Sequence, residues 1–99
     1  MITEIAQIEI RPGESDAFEA AVAQARPAFE QSKGFGGLRL ARSIEHPERY
    51  RLMVQWETLE DHTIHFRESE QFKTWRGLAS PFFASQPTVE HVADCNLER

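Results

Sequence analysis

An α+β fold in the order strand–helix–strand–strand–helix–strand is predicted by three features of this 99-residue chain. Residues 2–10 and 50–57 alternate apolar with polar side chains, the period of a strand with one buried face. Phe18, Val22, Ala25 and Phe29 recur at helical spacing, and Phe72, Trp75, Leu78 and Ala79 do so again. Breaks bearing glycine or proline fall at 11–13, 34–37, 46–49 and 80–81.

In the first strand Ile2, Glu4, Ala6, Ile8 and Ile10 form a mostly apolar side, opposed by Thr3, Ile5, Gln7 and Glu9. Ile5 predicts that the second side is partly covered. Arg11-Pro12-Gly13 ends the strand. Glu14, Ser15 and Asp16 put acidic and capping groups at a helix start, where unpaired N–H groups favour them. Pro27 lacks an N–H and crowds the preceding turn, which predicts a kink or an early end of the first helix. After Gly34-Phe35-Gly36-Gly37, Leu38 to Ile44 is the second strand, with Leu38, Leu40, Arg42 and Ile44 opposing Arg39, Ala41 and Ser43.

His46-Pro47-Glu48-Arg49 turns the chain straight into the third strand, so strands two and three form an antiparallel hairpin. There Tyr50, Leu52, Val54 and Trp56 alternate with Arg51, Met53, Gln55 and Glu57. Thr58 with Asp61 resembles a capping box, Asp replacing the usual Glu or Gln. The second helical region begins near Leu59. Arg67-Glu68-Ser69-Glu70 interrupts its apolar pattern, and Ser69 recaps a second segment that Ser80-Pro81 ends. Pro87 to Val92 is the last strand, with Val89 and His91 on one side.

The order βαββαβ is that of the ferredoxin-like plait, an antiparallel sheet with helices on one face. Ile5 and Met53 on the open face predict that a second copy covers it, sheet to sheet about a two-fold axis.

Composition narrows the function. A chain this short forms one domain, 1–99, and buries roughly 65% of its unfolded surface. No 18-residue apolar run predicts a membrane span, and MITEIAQIEI has neither the basic start nor the apolar core of a signal peptide. The one cysteine, Cys95, rules out an internal disulfide and suits the cytoplasm. A formal charge of −5 with no Lys/Arg stripe argues against nucleic acid and against an anionic membrane. Ser43 and Ser80 lack the flanking glycines of a hydrolase elbow.

The PGESDAF helix start, the GFGG break, the RSIEHPERY hairpin, the WETLEDH junction and the later SEQF…W and PTVEH segments resemble, in order, the antibiotic biosynthesis monooxygenase (ABM) domain. The resemblance covers nearly the whole chain. It implies a dimeric α+β barrel with a cavity between sheet and helices in each subunit. It also implies oxidation of an aromatic or quinol-like molecule by molecular oxygen, with no flavin, haem or metal cofactor. The haem-degrading branch is not matched. Trp56 fits its strand-end tryptophan, but Arg76 stands where that branch has its histidine ligand, and the first strand has no asparagine.

Such an oxygenase needs a base to make the electron-rich anion that meets oxygen. His62, one turn into the helix and close to Trp56, is the candidate. Trp56, Phe66, Phe72 and Trp75 are the candidate aromatic lining for a flat ligand, each otherwise a core residue. Arg76 is a candidate partner for a carbonyl or phenolate, and His65 and His91 are candidate lining or packing residues. A metal reading of His62, His65 and His91 fails on the spacing of three between the first two, where a two-histidine helical motif has four. Two other readings remain: a non-catalytic, dimeric binding or stress-related module, and an isomerase or decarboxylase using the same cavity.

Overall fold

The computed structural model describes residues 1–98. Its elements are β1 (Ile2–Glu9), α1 (Ser15–Glu30), β2 (Phe35–Arg42), β3 (Arg49–Trp56), a π-helical turn (Asp61–Phe66), α2 (Glu70–Ala79), a short 3-10 turn (Ser80–Phe82) and β4 (Thr88–Val92). The sheet order is β2-β3-β1-β4, and every adjacent pair is antiparallel. This is the expected α+β plait, with both helices on one face.

The buried face of the sheet follows the period read from sequence. Ala6, Ile8 and Ile10 of the first strand segment and Tyr50, Leu52, Val54 and Trp56 of β3 are all buried. They pack against Phe18, Val22, Ala25 and Phe29 of α1. The helical layers meet through aromatic rings: Phe29 stacks on Phe66 at 5.1 Å and meets the edge of Trp75 at 5.2 Å. Ile10 leaves the β1 ladder but forms an isolated bridge to Phe83, which ties the strand end to the chain beyond α2.

One expectation on the helices is corrected. α1 runs through Pro27 to Glu30 without ending early. The carbonyl that Pro27 leaves without its helical donor belongs to Ala23; both residues are exposed, so water can serve it. Ala25, Ala28 and Phe29 stay buried across the proline, and this packing outweighs the lost bond. The helical region expected near Leu59 begins there, and over Asp61–Phe66 it takes the form of a π-helical turn; Ser69 then recaps the chain as predicted. Ser69 Oγ accepts the N–H of Phe72 at 3.2 Å.

The second strand also lies earlier than expected. It begins at Phe35, inside the glycine run, because Phe35 pairs with Trp56 and Gly37 with Gln55 around a bulge. It ends at Arg42, and Ile44 lies in the turn, 91% exposed.

Candidate functional site

The site forms where β3 ends and the chain re-enters the helical layer. Thr58 Oγ1 accepts the N–H of Asp61 at 3.1 Å, half of the expected capping box. The Asp61 side chain does not complete it. It is buried against Gly34, whose φ is +79° and where an added Cβ would stand 2.0 Å from Oδ2. The α1–β2 turn therefore clamps the start of the π-helical turn. Within that turn the Arg67 N–H reaches the His62 carbonyl at 3.3 Å, five residues back. His62 and Phe66 are buried, and Ile64 and His65 face water.

His62 lies flat on Trp56, ring centres 5.6 Å apart and planes at 21°. Its Nε2 is 3.2 Å from Oε1 of Glu4, and its Nδ1 is 2.7 Å from Nε2 of His91. Trp56 Nε1 donates to the same Glu4 oxygen at 3.0 Å. Glu4 and His91 are opposite one another across the β1–β4 ladder, which fixes them on one face of the sheet. Four side chains from β1, β3, the π-helical turn and β4 thus meet in one polar array, joined by the Trp56–Glu4 and His62–His91 hydrogen bonds and by the close Glu4–His62 contact.

Burial sets the charge of this array. Glu4 is 5% exposed, and its carboxyl is raised from the usual 4.5 to about 7; the Trp56 hydrogen bond and the Arg67 charge oppose that rise. Burial lowers His62 from 6.5 to about 4, and Arg67 and then His91 push the same way. His91 is also lowered, by burial and then by Arg67. The Glu4–His62 contact is therefore one between a carboxyl and a neutral imidazole at neutral pH, not an ion pair.

A cleft of about 550 Å³ opens beside the array. Its polar lining is Glu4, His62, Arg67, Arg76 and Gln86, and its aromatic lining is Phe66, Phe72, Trp75 and Phe83. The Arg76 guanidinium lies 5.9 Å from the Phe72 ring centre and 5.5 Å from that of Phe83, and such cation–π contacts hold it against the wall.

Of the residues singled out from sequence, His62, Phe66, Phe72, Trp75 and Arg76 are brought together around this cleft. Trp56 is fully buried against His62, and half-buried His91 bonds to the far nitrogen of His62; neither lines the cleft. His65 is exposed and outside it. Sequence reasoning missed Glu4, Arg67 and Phe83. Glu4 carried a usable signal, since it is a carboxylate on the otherwise apolar side of the first strand. Among the described residues, no group of three or more His, Cys, Asp or Glu side chains is placed to hold a metal ion.

The family model described as antibiotic biosynthesis monooxygenase matches residues 1–78. The chain belongs to this family. The ABM match takes in β1, the π-helical turn and most of α2, and so Glu4, Trp56 and His62, but ends before His91. The chain is similar to YczJ of Bacillus subtilis (strain 168), itself uncharacterised, at 40% identity over 94 residues, which is 95% of this chain and 99% of that one. A crystal structure from Bordetella bronchiseptica, assigned by name to the ABM family, superposes with a TM-score of 0.94 at 47% identity, covering 96% of this chain and 97% of the other. A Nitrosomonas europaea protein assigned by name to the same family shares the fold at a TM-score of 0.80 and 19% identity, over 97% of this chain and 100% of its own. The ferredoxin-like architecture and a monooxygenase assignment at the level of the family rest on these likenesses. No helix among the described residues is long and apolar enough to cross a membrane.

Proposed function

We propose that this ABM protein is a cofactor-independent monooxygenase for a flat aromatic or quinol-like molecule, with molecular oxygen as co-substrate. The observation that supports this reading is the pairing of an aromatic-walled cleft with a buried acid–imidazole couple, Glu4 and His62, in its lining. Phe72, Trp75 and Phe83 offer ring faces to a planar ligand, and Arg76 offers a cation to a carbonyl or phenolate oxygen. The Glu4–His62 couple removes a proton from an acidic carbon or hydroxyl, and the anion formed gives its electrons to oxygen. For a methylene between aromatic rings the balance is CH2 + O2 → C=O + H2O, with the substrate supplying every electron. Trp56 and His91 hold the couple in place from outside the cleft.

The protein acts as a single cytoplasmic domain in a homodimer. Support for the dimer comes from the open sheet face, where Ile5 and Met53 are paired partners left half-covered.

The test is oxygen uptake with a panel of anthrones and quinols, with and without protein. Uptake abolished in His62→Ala supports the reading; full activity in that variant removes His62 from the chemistry. Binding of the same compounds without turnover favours the non-catalytic module. That alternative draws support from the array itself, where both His62 nitrogens already have partners. Isomerised or decarboxylated product without oxygen uptake favours the third reading, because the same couple can move a proton with no oxidant.

A further inference from the structure

We propose that Glu4 is the proton acceptor of the cleft, and that His62 and His91 are the conduit that sets its charge from solvent. The proposal deepens the reading above and rests on it for the identity of the acid that gives up the proton.

The geometry carries the assignment. Trp56 Nε1 can only donate, and it donates to Glu4 Oε1. His62 Nε2 meets the same oxygen, so both known partners of the carboxyl lie on Oε1. Among the described residues Oε2 takes no hydrogen bond, and no fully buried polar side-chain atom lacks a partner, so Oε2 is the oxygen left to meet a ligand in the cleft. His62 is less suited to take the proton itself. It is 2% exposed, and both its nitrogens are engaged.

The array has two self-consistent proton arrangements. With Glu4 ionised, His91 Nε2–H donates to His62 Nδ1, and His62 Nε2–H donates to Oε1. With Glu4 protonated on Oε1, every bond reverses: Oε1–H donates to His62 Nε2, and His62 Nδ1–H donates to His91 Nε2. One proton taken from solvent at His91 Nδ1 converts the first into the second, each proton moving across one short gap, 2.7 Å between the imidazoles and 3.2 Å between His62 and Glu4. Both imidazoles are neutral at the start and at the end. His91 is the half-buried member and meets solvent without passing through the cleft lining. Glu4 can therefore keep its protonation state in equilibrium with bulk water while a ligand fills the cleft. During turnover a substrate proton accepted on Oε2 returns to the oxygen atom that leaves as water, so the cycle consumes no net proton.

The charged and titratable groups facing the array are Arg67 after the π-helical turn, His91 on β4 and Arg76 on α2. A guanidinium contributes no transition of its own in proteins. A transition near neutrality in this cluster is then that of Glu4.

The experiment needs no substrate. Infrared spectra of the wild-type protein, taken from about pH 5.5 to about pH 8.5, are expected to show a protonated-carboxyl band that titrates near neutrality and is missing in Glu4→Gln. Nitrogen NMR of the histidine rings over the same range is expected to show His62 exchanging its N–H from Nδ1 to Nε2 with the same midpoint, and no exchange in Glu4→Gln. Absence of a carboxyl band titrating in this window overturns Glu4 as acceptor. A carboxyl that titrates while His62 keeps one tautomer throughout overturns the conduit. If Glu4→Gln does not fold, the His62 exchange in the wild-type protein still decides the matter. Because no turnover is measured, failure here leaves the oxygenase reading standing, and failure of oxygen uptake leaves the conduit standing.

Discussion

Trp56 and Glu4 are joined by a buried hydrogen bond of 3.0 Å between the ends of two central strands, with Ile2 opposite Trp56 in the ladder. A Trp N–H cannot accept, so the carboxyl keeps this partner in either protonation state. Trp56→Phe keeps most of the ring against His62 but leaves Oε1 with one donor fewer. The expected outcome is a loss of about 1–3 kcal/mol in stability. An upward move of the Glu4 midpoint should accompany it, because the bond favours the ionised form. Urea unfolding and the carboxyl infrared titration measure the two.

The stability of the fold should depend on pH in a way that isolates Glu4. Its folded value of about 7 lies above the ordinary 4.5, so the folded state binds the proton more tightly and stability falls as pH rises through that interval. His62 acts oppositely: its folded value near 4 lies below 6.5, so stability rises with pH there. The two slopes overlap and largely cancel in the wild-type protein. Glu4→Gln removes the falling one. Its stability relative to wild type should therefore grow between about pH 5 and about pH 8, by up to about 3 kcal/mol at about 1.4 kcal/mol per pKa unit. Urea titrations at three pH values check this, and a difference independent of pH would contradict it.

Gly34 and Gly13 make a matched pair. Both have positive φ, 79° and 82°. An added Cβ at Gly34 meets the Asp61 carboxylate, whereas at Gly13 it meets nothing within 4 Å. Gly13→Ala should cost about 1 kcal/mol from backbone conformation alone. Gly34→Ala should cost clearly more, about 3 kcal/mol, and should also disturb His62, one residue from Asp61. Thermal unfolding separates the stabilities, and the His62 ring signals report the local change.

The open sheet face supplies a test of assembly. Ile5 and Met53 are cross-strand partners there. Met53→Glu places a charge at the centre of the proposed dimer contact and should convert the protein to monomers at micromolar concentration with its helical signal intact. Sedimentation velocity distinguishes the two states. A wild-type protein that is already monomeric would remove the sheet-to-sheet dimer.

Phe72→Ala tests the cleft without touching the array. Phe72 is half-buried and packs edge-on to Phe66 at 5.5 Å. Its loss should weaken binding of a planar quinol by about tenfold, the equivalent of about 1.4 kcal/mol, at modest cost in stability. Equilibrium titration by fluorescence reads the affinity.

Periodicity made most of this architecture legible. The alternation in β1 and β3 and the helical stripe of α1 placed the core residues on the sides where they are found, because one buried face imposes a fixed period. The π-helical turn was not legible. Its extra residue per turn accompanies the Gly34–Asp61 clamp, a contact between residues distant in sequence that local pattern does not reveal, and the stacking of His62 on Trp56. Pro27 misled for a related reason: local chemistry argued for a break, and packing of Ala28 and Phe29 overrode it. Within the site, residues on α2 were readable from their stripe. The partnership of Glu4, His62 and His91 was not, since it depends on strand order, which brings β1 beside both β3 and β4.

The π-helical turn makes the chemistry of this corner sensitive to chain length as well as to side-chain identity. Its ring of backbone atoms closes over five residues, from His62 to Arg67. Removing one residue from 63–65 would let the segment relax to an ordinary helix of about 3.6 residues per turn and would swing His62 by about 100° relative to α2. The imidazole would leave Glu4 although every member of the array was still encoded.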